Sequence, residues 1–474
     1  MSWLLRMALV VLASAGFVQD ASASVTAEEP ARADSLTLQE VLGATDATHP
    51  DLEAADTVVE KAAGKRLSAR GAWDPNLQVR SRWSPVGYYD NGQVDVIVRQ
   101  ATPLWGIGLY GGYRVGLGTY PVYKGELQTL SGGEARAGID VPLWKDGLID
   151  GRRAEVRRTK ILADAAECER NGARLAVGQK AARAYWDWVA AGQEARVQRD
   201  LLAVAEERAA ALQEQARAGS IAGIVVVDNE RLVLDRRAKL IAARREFQAA
   251  TLELSLFVRN TAREPVRVAE DRVPRRIEDV RDVDILSEDA AVEAALNRRP
   301  EICRLRLERA AAEVAVKLAR NQRAPAVNAQ AFVARDFGAG PAELGPTEFG
   351  VGVVVEMPLA LRQARGEYRA AKAEARGIDA QLRGLRDKIS AEVRQARVDL
   401  DAAEQRIEVA RAQIEAAETL ADAERDKFKE GASDLVIVNL RELAAADAAR
   451  LEIEALAAHQ RARADYLTAT GRGL

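Results

Sequence analysis

The feature that most constrains this chain is an internal duplication. Pro50 is followed by Pro75, Pro142 and Gly219, and Pro300 is followed by Pro325, Pro358 and Gly431. The first two prolines keep an offset of 250, Pro142 and Pro358 differ by 216, and the glycines differ by 212. Local contexts agree. His49-Pro50-Asp51-Leu52 matches Arg299-Pro300-Glu301-Ile302, and Asp140-Val141-Pro142-Leu143 matches Glu356-Met357-Pro358-Leu359. A unit of about two hundred residues used twice must build one architecture from two similar halves.

Each half ends in a helical hairpin. Ala403, Ile407, Ala410, Ile414, Ala417 and Ala421 recur in four-three steps, the spacing of a coiled-coil seam, and Phe428 lies one heptad further on. Gly431 then breaks the pattern, as a glycine at a helix end does. The steps resume at Ala444, Ala448, Leu451, Ala455, Ala458 and Ala462. Leu202, Ala205, Ala209, Leu212 and Ala216 lead in the same way to Gly219. Alanine seams bury little area per turn, so such hairpins need neighbours. The proline-free stretch from Gly151 to Ala218 predicts a helix of about 100 Å, with Gly172, Gly178 and Gly192 as candidate bends or breaks.

Between the helices the period changes from 3.5 to two. Leu77, Val79, Ser81 and Trp83 alternate with Gln78, Arg80 and Arg82. Similar alternation covers Val94–Arg99, Tyr113–Gly118 and Ala135–Val141, then Val327–Val333 and Phe349–Met357. These segments predict strands. Ten of the 23 aromatics fall between Trp73 and Trp144, which favours a membrane barrel with interfacial girdles over a water-soluble sandwich. Neither half has enough strands to close a barrel, and a membrane barrel must be closed. The barrel is therefore expected to be shared between copies in a symmetric oligomer.

The expected organisation is as follows. Residues 1–23 form a signal peptide, with Arg6, an apolar run from Met7 to Val18 and the small-x-small site Ala21-Ser22-Ala23. Residues 24–259 are the first repeat, with strands at about 76–144 and a hairpin at about 151–258. Residues 260–287 are polar, proline-interrupted and expected to be a surface connector. Residues 288–474 are the second repeat, with strands at about 326–357 and a hairpin at about 362–469. The fold class is mainly α with a β-barrel part.

The net charge of -3 gives no reason to expect nucleic acid. Cys168 and Cys303 lie far apart in helical pattern without metal-type spacing; buried thiols are expected, with a disulfide as the alternative. His49 and His459 are the only histidines, no phosphate loop or nucleophile elbow appears, and no cofactor or enzymatic activity is expected.

The duplicated order of helix, strands, Pro-Leu, long helix, glycine tip and long helix, behind a signal peptide, resembles the TolC-type outer-membrane efflux channels. The loose match of Val292–Ile302 to the family's Arg-Pro-x-Ile pattern adds to it. The resemblance implies a homotrimer, each chain giving four strands to a twelve-stranded barrel in outer-membrane lipid. The helices would cross the periplasm and dock on a periplasmic adaptor (membrane fusion) protein of an inner-membrane pump or exporter. The family's acidic gate positions fall here on Ile437 and Leu440, so Asp434, Asn439 and Asp228 stand as the candidate gate. Arg217, Gly219, Ser220, Lys429, Gly431 and Ser433 are candidate adaptor contacts at the tips. The first repeat has about 34 extra residues between its prolines, which leaves six strands per chain, or four plus an extension outside the membrane. The competing reading is a periplasmic coiled-coil adaptor or scaffold without channel activity.

Overall fold

The computed structural model describes residues 35–121, 127–278 and 285–473; the expected signal peptide lies outside them. Each repeat opens with a bent helix pair. In the first, α1 (Leu38–Thr48) and α2 (Pro50–Arg70) meet at Pro50. In the second, α5 (Glu288–Arg298) and α6 (Pro300–Asn321) meet at Pro300. Proline is tolerated at a first helical position because its missing N–H would have no partner there. Strands β1 (Asn76–Ser84), β2 (Asn91–Ala101), β3 (Gly108–Gly118) and β4 (Gly133–Pro142) follow α2, and β5 (Ala326–Phe337) and β6 (Glu348–Glu356) follow α6. The hairpins are α3 (Gly151–Arg217) with α4 (Gly223–Ser255), and α7 (Arg362–Lys429) with α8 (Leu435–Ala469).

With 67 and 68 residues, α3 and α7 each run about 100 Å. The three glycines of α3 do not break it. Gly192 instead admits close packing, because a Cβ there would stand 2.8 Å from Val273 and 3.0 Å from Phe247. The shorter helices stack end to end beside the long ones. Thr45 Oγ1 donates to the Phe257 carbonyl at 3.1 Å, and His49 stacks on the Phe257 ring, joining α1 and α2 to the end of α4. Arg299 reaches the Ala469 carbonyl, joining α5 and α6 to the end of α8.

The largest core lies midway along the helices, around Trp188, Tyr185, Phe247 and Leu254. Val268, Val273 and Ile277 enter it, which corrects the expectation of a surface connector: residues 260–278 strap the core, and Gln193 and Gln460 donate to the carbonyls of Pro274 and Glu278. A second core gathers Ile302, Ile389, Val393, Leu400 and Tyr466. The seam of α7 buries Ala403, Ile407, Ala410 and Ala421. In α8 Ala448, Ala455 and Ala462 of the expected seam are buried, but Ala444 and Leu451 are exposed, and Val438, Glu442 and Ala446 are buried as well, because α8 packs against α3 as well as α7. Cys168 of α3 and Cys303 of α6 form a disulfide with a Cα separation of 6.0 Å, so the expectation of buried free thiols is corrected.

Candidate functional site

The strands form one antiparallel six-stranded sheet in the order β1-β2-β3-β4-β5-β6. The extra residues of the first repeat are thus part of the sheet, and the chain forms six strands where the resemblance implied four. The two repeats join between β4 and β5, with Ala137 opposite Val333.

Register sorts the side chains by face. One face carries Arg80, Asp95, Arg114, Glu134, Arg136 and Asp336. Asp95 takes a two-oxygen contact from Arg136 Nη2 at 2.7 and 2.9 Å, and Glu134 lies 3.5 Å from Arg114. The other face carries Leu77, Val79, Val96, Val115, Val333 and Val351. Burial is the reverse of a water-soluble sandwich: Asp95 is 5% exposed, whereas Val351 is 75% and Phe349 72% exposed. Such a sheet is stable where its outer face meets hydrocarbon. Trp105 and Trp144 lie exposed at the helix end of the strands, and Trp83, Phe337 and Phe349 at the far end. Strands of 9–12 residues, tilted by about 40°, span about 25 Å, the height of an outer-membrane apolar band.

The opposite pole is the pair of tips. Gly219 and Gly431 have φ of +75° and +74°, the left-handed conformation that favours glycine at a helix end. Ser220 N donates to Gln215 O, and Ala432 N to Lys427 O, closing both helices alike. Arg217 lies 4.0 Å from Glu214 and Lys429 2.9 Å from Asp426, each within its own helix and largely exposed. Ser220 Oγ donates to Gln215 O, and Ser433 Oγ donates to the Glu424 carboxylate.

The structure does not bring Asp228, Asp434 and Asn439 together. Asp228 pairs with Arg231 within α4, at 3.3 Å. Asp434 caps α8 by accepting from Val436 N at 3.0 Å. Asn439 is tied to another helix: its Oδ1 accepts from Arg208 Nη1 at 2.6 Å. Arg208 also grips both oxygens of Glu442, at 2.7 and 2.9 Å, and Arg425 donates to Glu442 at 2.9 Å. Burial pushes the Glu442 carboxyl up, but the two guanidiniums outweigh it and hold the carboxyl below its usual range. This cluster links α3 of the first repeat to α7 and α8 of the second. Sequence reasoning missed Arg208 and Glu442. Their signal is positional, since Arg208 stands eleven residues before Gly219 and Glu442 eleven after Gly431.

The model of the outer membrane efflux protein family matches residues 135–258 and 291–472. Comparison with curated proteins finds no match. Among solved structures, the outer-membrane channel OprN is similar over 94% of this chain and 95% of its own, with a TM-score of 0.67 and 17% identity. VceC of Vibrio cholerae is similar over 92% and 96%, with a TM-score of 0.64 and 18% identity. The open-state MtrE channel of Neisseria gonorrhoeae is similar over 92% and 89%, with a TM-score of 0.65 and 15% identity. At these identities the likeness is one of fold. The family match spans both repeats and most of their helices, and the family is one of channels rather than enzymes. The chain belongs to the outer membrane efflux protein family.

Proposed function

We propose that this chain is the outer-membrane channel of a tripartite efflux or type I secretion system, a passive conduit across periplasm and outer membrane. The observation that carries this reading is the inverted sheet, apolar outside and charged inside, at one end of two helical hairpins about 100 Å long. Three copies would complete the barrel and surround a lumen lined by the polar face. No step in such a conduit needs a cofactor, and the energy comes from the inner-membrane pump or exporter. The tips, with Arg217, Gly219, Ser220, Lys429, Gly431 and Ser433, are the surface offered to the periplasmic adaptor.

The gate is the region between the tips and the first ring of cross-links. Asn439, held by Arg208 beside Glu442, ties the two hairpins together, and release of that tie would be the opening step. Asp434 lies nearer its tip than Asn439, and Asp228 stands at about the same distance from its own tip as Asn439; approach of these carboxylates from three copies would favour opening.

The test is conductance of the purified mature protein in a planar bilayer, with its oligomer mass measured on the same preparation. Trimers that give discrete conductance steps, and that stay in membranes through an alkaline wash, are the expected result. A monomer without conductance that the wash releases would overturn the reading. Glu442→Gln in a conducting trimer should raise the open fraction; an unchanged open fraction would remove the gate assignment and leave the channel intact.

A further inference from the structure

The sheet is complete on its faces and incomplete at its edges. β1 and β6 each pair on one side only. Both are nine residues long. They run antiparallel to each other, as the outer members of a six-stranded meander must. Copies related by an axis along the barrel can therefore set β6 of one against β1 of the next as an ordinary antiparallel pair.

Charge marks the same two edges. In the inner strands the polar face pairs its charges within the chain, Asp95 with Arg136 and Arg114 with Glu134. At the edges the signs are separated: Arg80 and Arg82 stand on β1, Glu348 and Glu356 on β6. Among the described residues, these four make no ion pair within the chain. The polar face of β6 also carries Gly352, where a Cβ would meet nothing within 4 Å. That open ground can take a long side chain from outside the chain.

Register follows from keeping polar face with polar face and pairing both strands over their full length. Asn76 then stands opposite Glu356 and Ser84 opposite Glu348. On the apolar face Leu77 meets Val355, Val79 meets Val353 and Trp83 meets Phe349. On the polar face Arg80 and Arg82 lie over Gly352 and Gly350, and Glu348 is the diagonal neighbour of Arg82, within reach of a guanidinium.

The stagger of the sheet supports this register. Tracing opposed residues across the chain runs from Asn76 through Arg99, Tyr110, Gly138 and Phe332 to Gly350. Gly350 then meets Arg82 of the next copy, six residues along β1 from Asn76. Three copies give a stagger equal to the number of strands, and a barrel of that kind tilts its strands by about 36°. This lies within the roughly 35–45° of outer-membrane barrels. The perimeter agrees as well. Six strands at about 4.8 Å spacing and that tilt occupy about 36 Å, and four helix columns at about 9 Å apart occupy the same.

We propose that the β1 edge of one copy pairs with the β6 edge of the next, Asn76–Ser84 against Glu348–Glu356, and that three copies close an eighteen-stranded barrel with Arg82 of one copy set beside Glu348 of the next at each seam. The inference rests on the channel reading and adds to it the seam, its register and the strand number.

The experiment is disulfide trapping in outer membranes. Val79→Cys with Val353→Cys places two thiols directly opposite across the seam, at the Cβ separation of a cross-strand pair. The native Cys168–Cys303 bond lies within one chain and links no copies. Under mild oxidation the double variant should give covalent trimers on a denaturing gel, several-fold above either single variant and above the offset pair Val79→Cys with Val351→Cys. Arg82→Glu should lower the yield of native trimer, and adding Glu348→Arg should restore it. Trimers that conduct but trap only the offset pair, or neither pair, would overturn the seam while leaving the channel standing. Absence of both trimer and conductance would overturn the seam together with the channel.

Discussion

The two repeats share a helical plan and diverge at both of its ends. Each has a proline-bent pair, a long helix, a glycine tip and a returning helix. At the membrane end the first repeat supplies four strands and the second two. Along the helices, the first repeat surrounds an aromatic core at Trp188 and Phe247, and the second an aliphatic one at Ile389 and Val393. At the tips, α8 starts with a side-chain cap from Asp434, whereas α4 starts at Ala222 with none. The shared parts set helix length and direction. The divergent parts decide how each repeat is anchored.

That contrast can be broken at the core. Trp188 is fully buried and packs against Tyr185 and Phe247. Trp188→Ala should cost about 3–5 kcal/mol, and the matched truncation Ile389→Ala in the second core about 2–5 kcal/mol. Chemical unfolding followed by helical circular dichroism measures both. Equal costs would mean that the two cores anchor the repeats alike.

The disulfide ties the repeats across a sequence separation of 135 residues. Replacing Cys168 and Cys303 together by serine should lower stability by about 2–5 kcal/mol. The same loss should appear in the native protein under reductant, and reductant should not affect the variant. A native protein indifferent to reductant would show that packing between α3 and α6 suffices to hold the repeats together.

Near the tips the repeats are joined by charge. Glu442→Gln removes the carboxylate that Arg208 and Arg425 share, leaving Arg425 only Asp422, a loss of about 2–3 kcal/mol for a pair this buried. The carboxyl is held below its ordinary value in the folded protein. Its contribution is therefore present above the ordinary glutamate pKa and is lost as pH falls through the lowered one. Acid unfolding of the native protein should show this loss, and Glu442→Gln should remove it.

How much of this was legible in the sequence depends on the range of the interaction. The Pro50 and Pro300 bends, the Gly219 and Gly431 tips and the Ala403–Ala421 seam are local, and the pattern locates them. Strand alternation is local too, and it sorted Val79 from Arg80 correctly. The joining of all six strands into one sheet, the Cys168–Cys303 bond and the grip of Arg208 on Glu442 link residues far apart in the chain, and no local pattern reports them. The α8 seam held at Ala448, Ala455 and Ala462 and missed at Ala444 and Leu451 for a related reason: a heptad reading assumes one partner, and α8 packs on two, so Val438, Glu442 and Ala446 are buried as well. The gate candidates Asp228 and Asp434 were chosen by distance from a tip, which says nothing of what each side chain touches. Asn439, chosen in the same way, lies against Arg208.

The smallest difference between the repeats is the cap, and it offers the most direct exchange. Asp434 accepts from Val436 N and fills one of the four N–H groups that a helix start leaves open. Ala222 stands at the equivalent place on α4 and offers no acceptor, although its backbone is already extended, with φ -73° and ψ 139°, as an N-cap requires. Asp434→Ala should therefore cost about 1 kcal/mol, and Ala222→Asp should recover a similar amount in the other hairpin. The double variant moves the cap from one tip to the other at nearly constant total stability. Hydrogen exchange at the two helix starts reads the change directly: protection should fall at Val436 and rise at Ile224 and Val225. If the added aspartate leaves α4 unprotected, the asymmetry between the tips has a cause other than the cap, and the exposed Ile224 and Val227 of α4 are then the residues to change next.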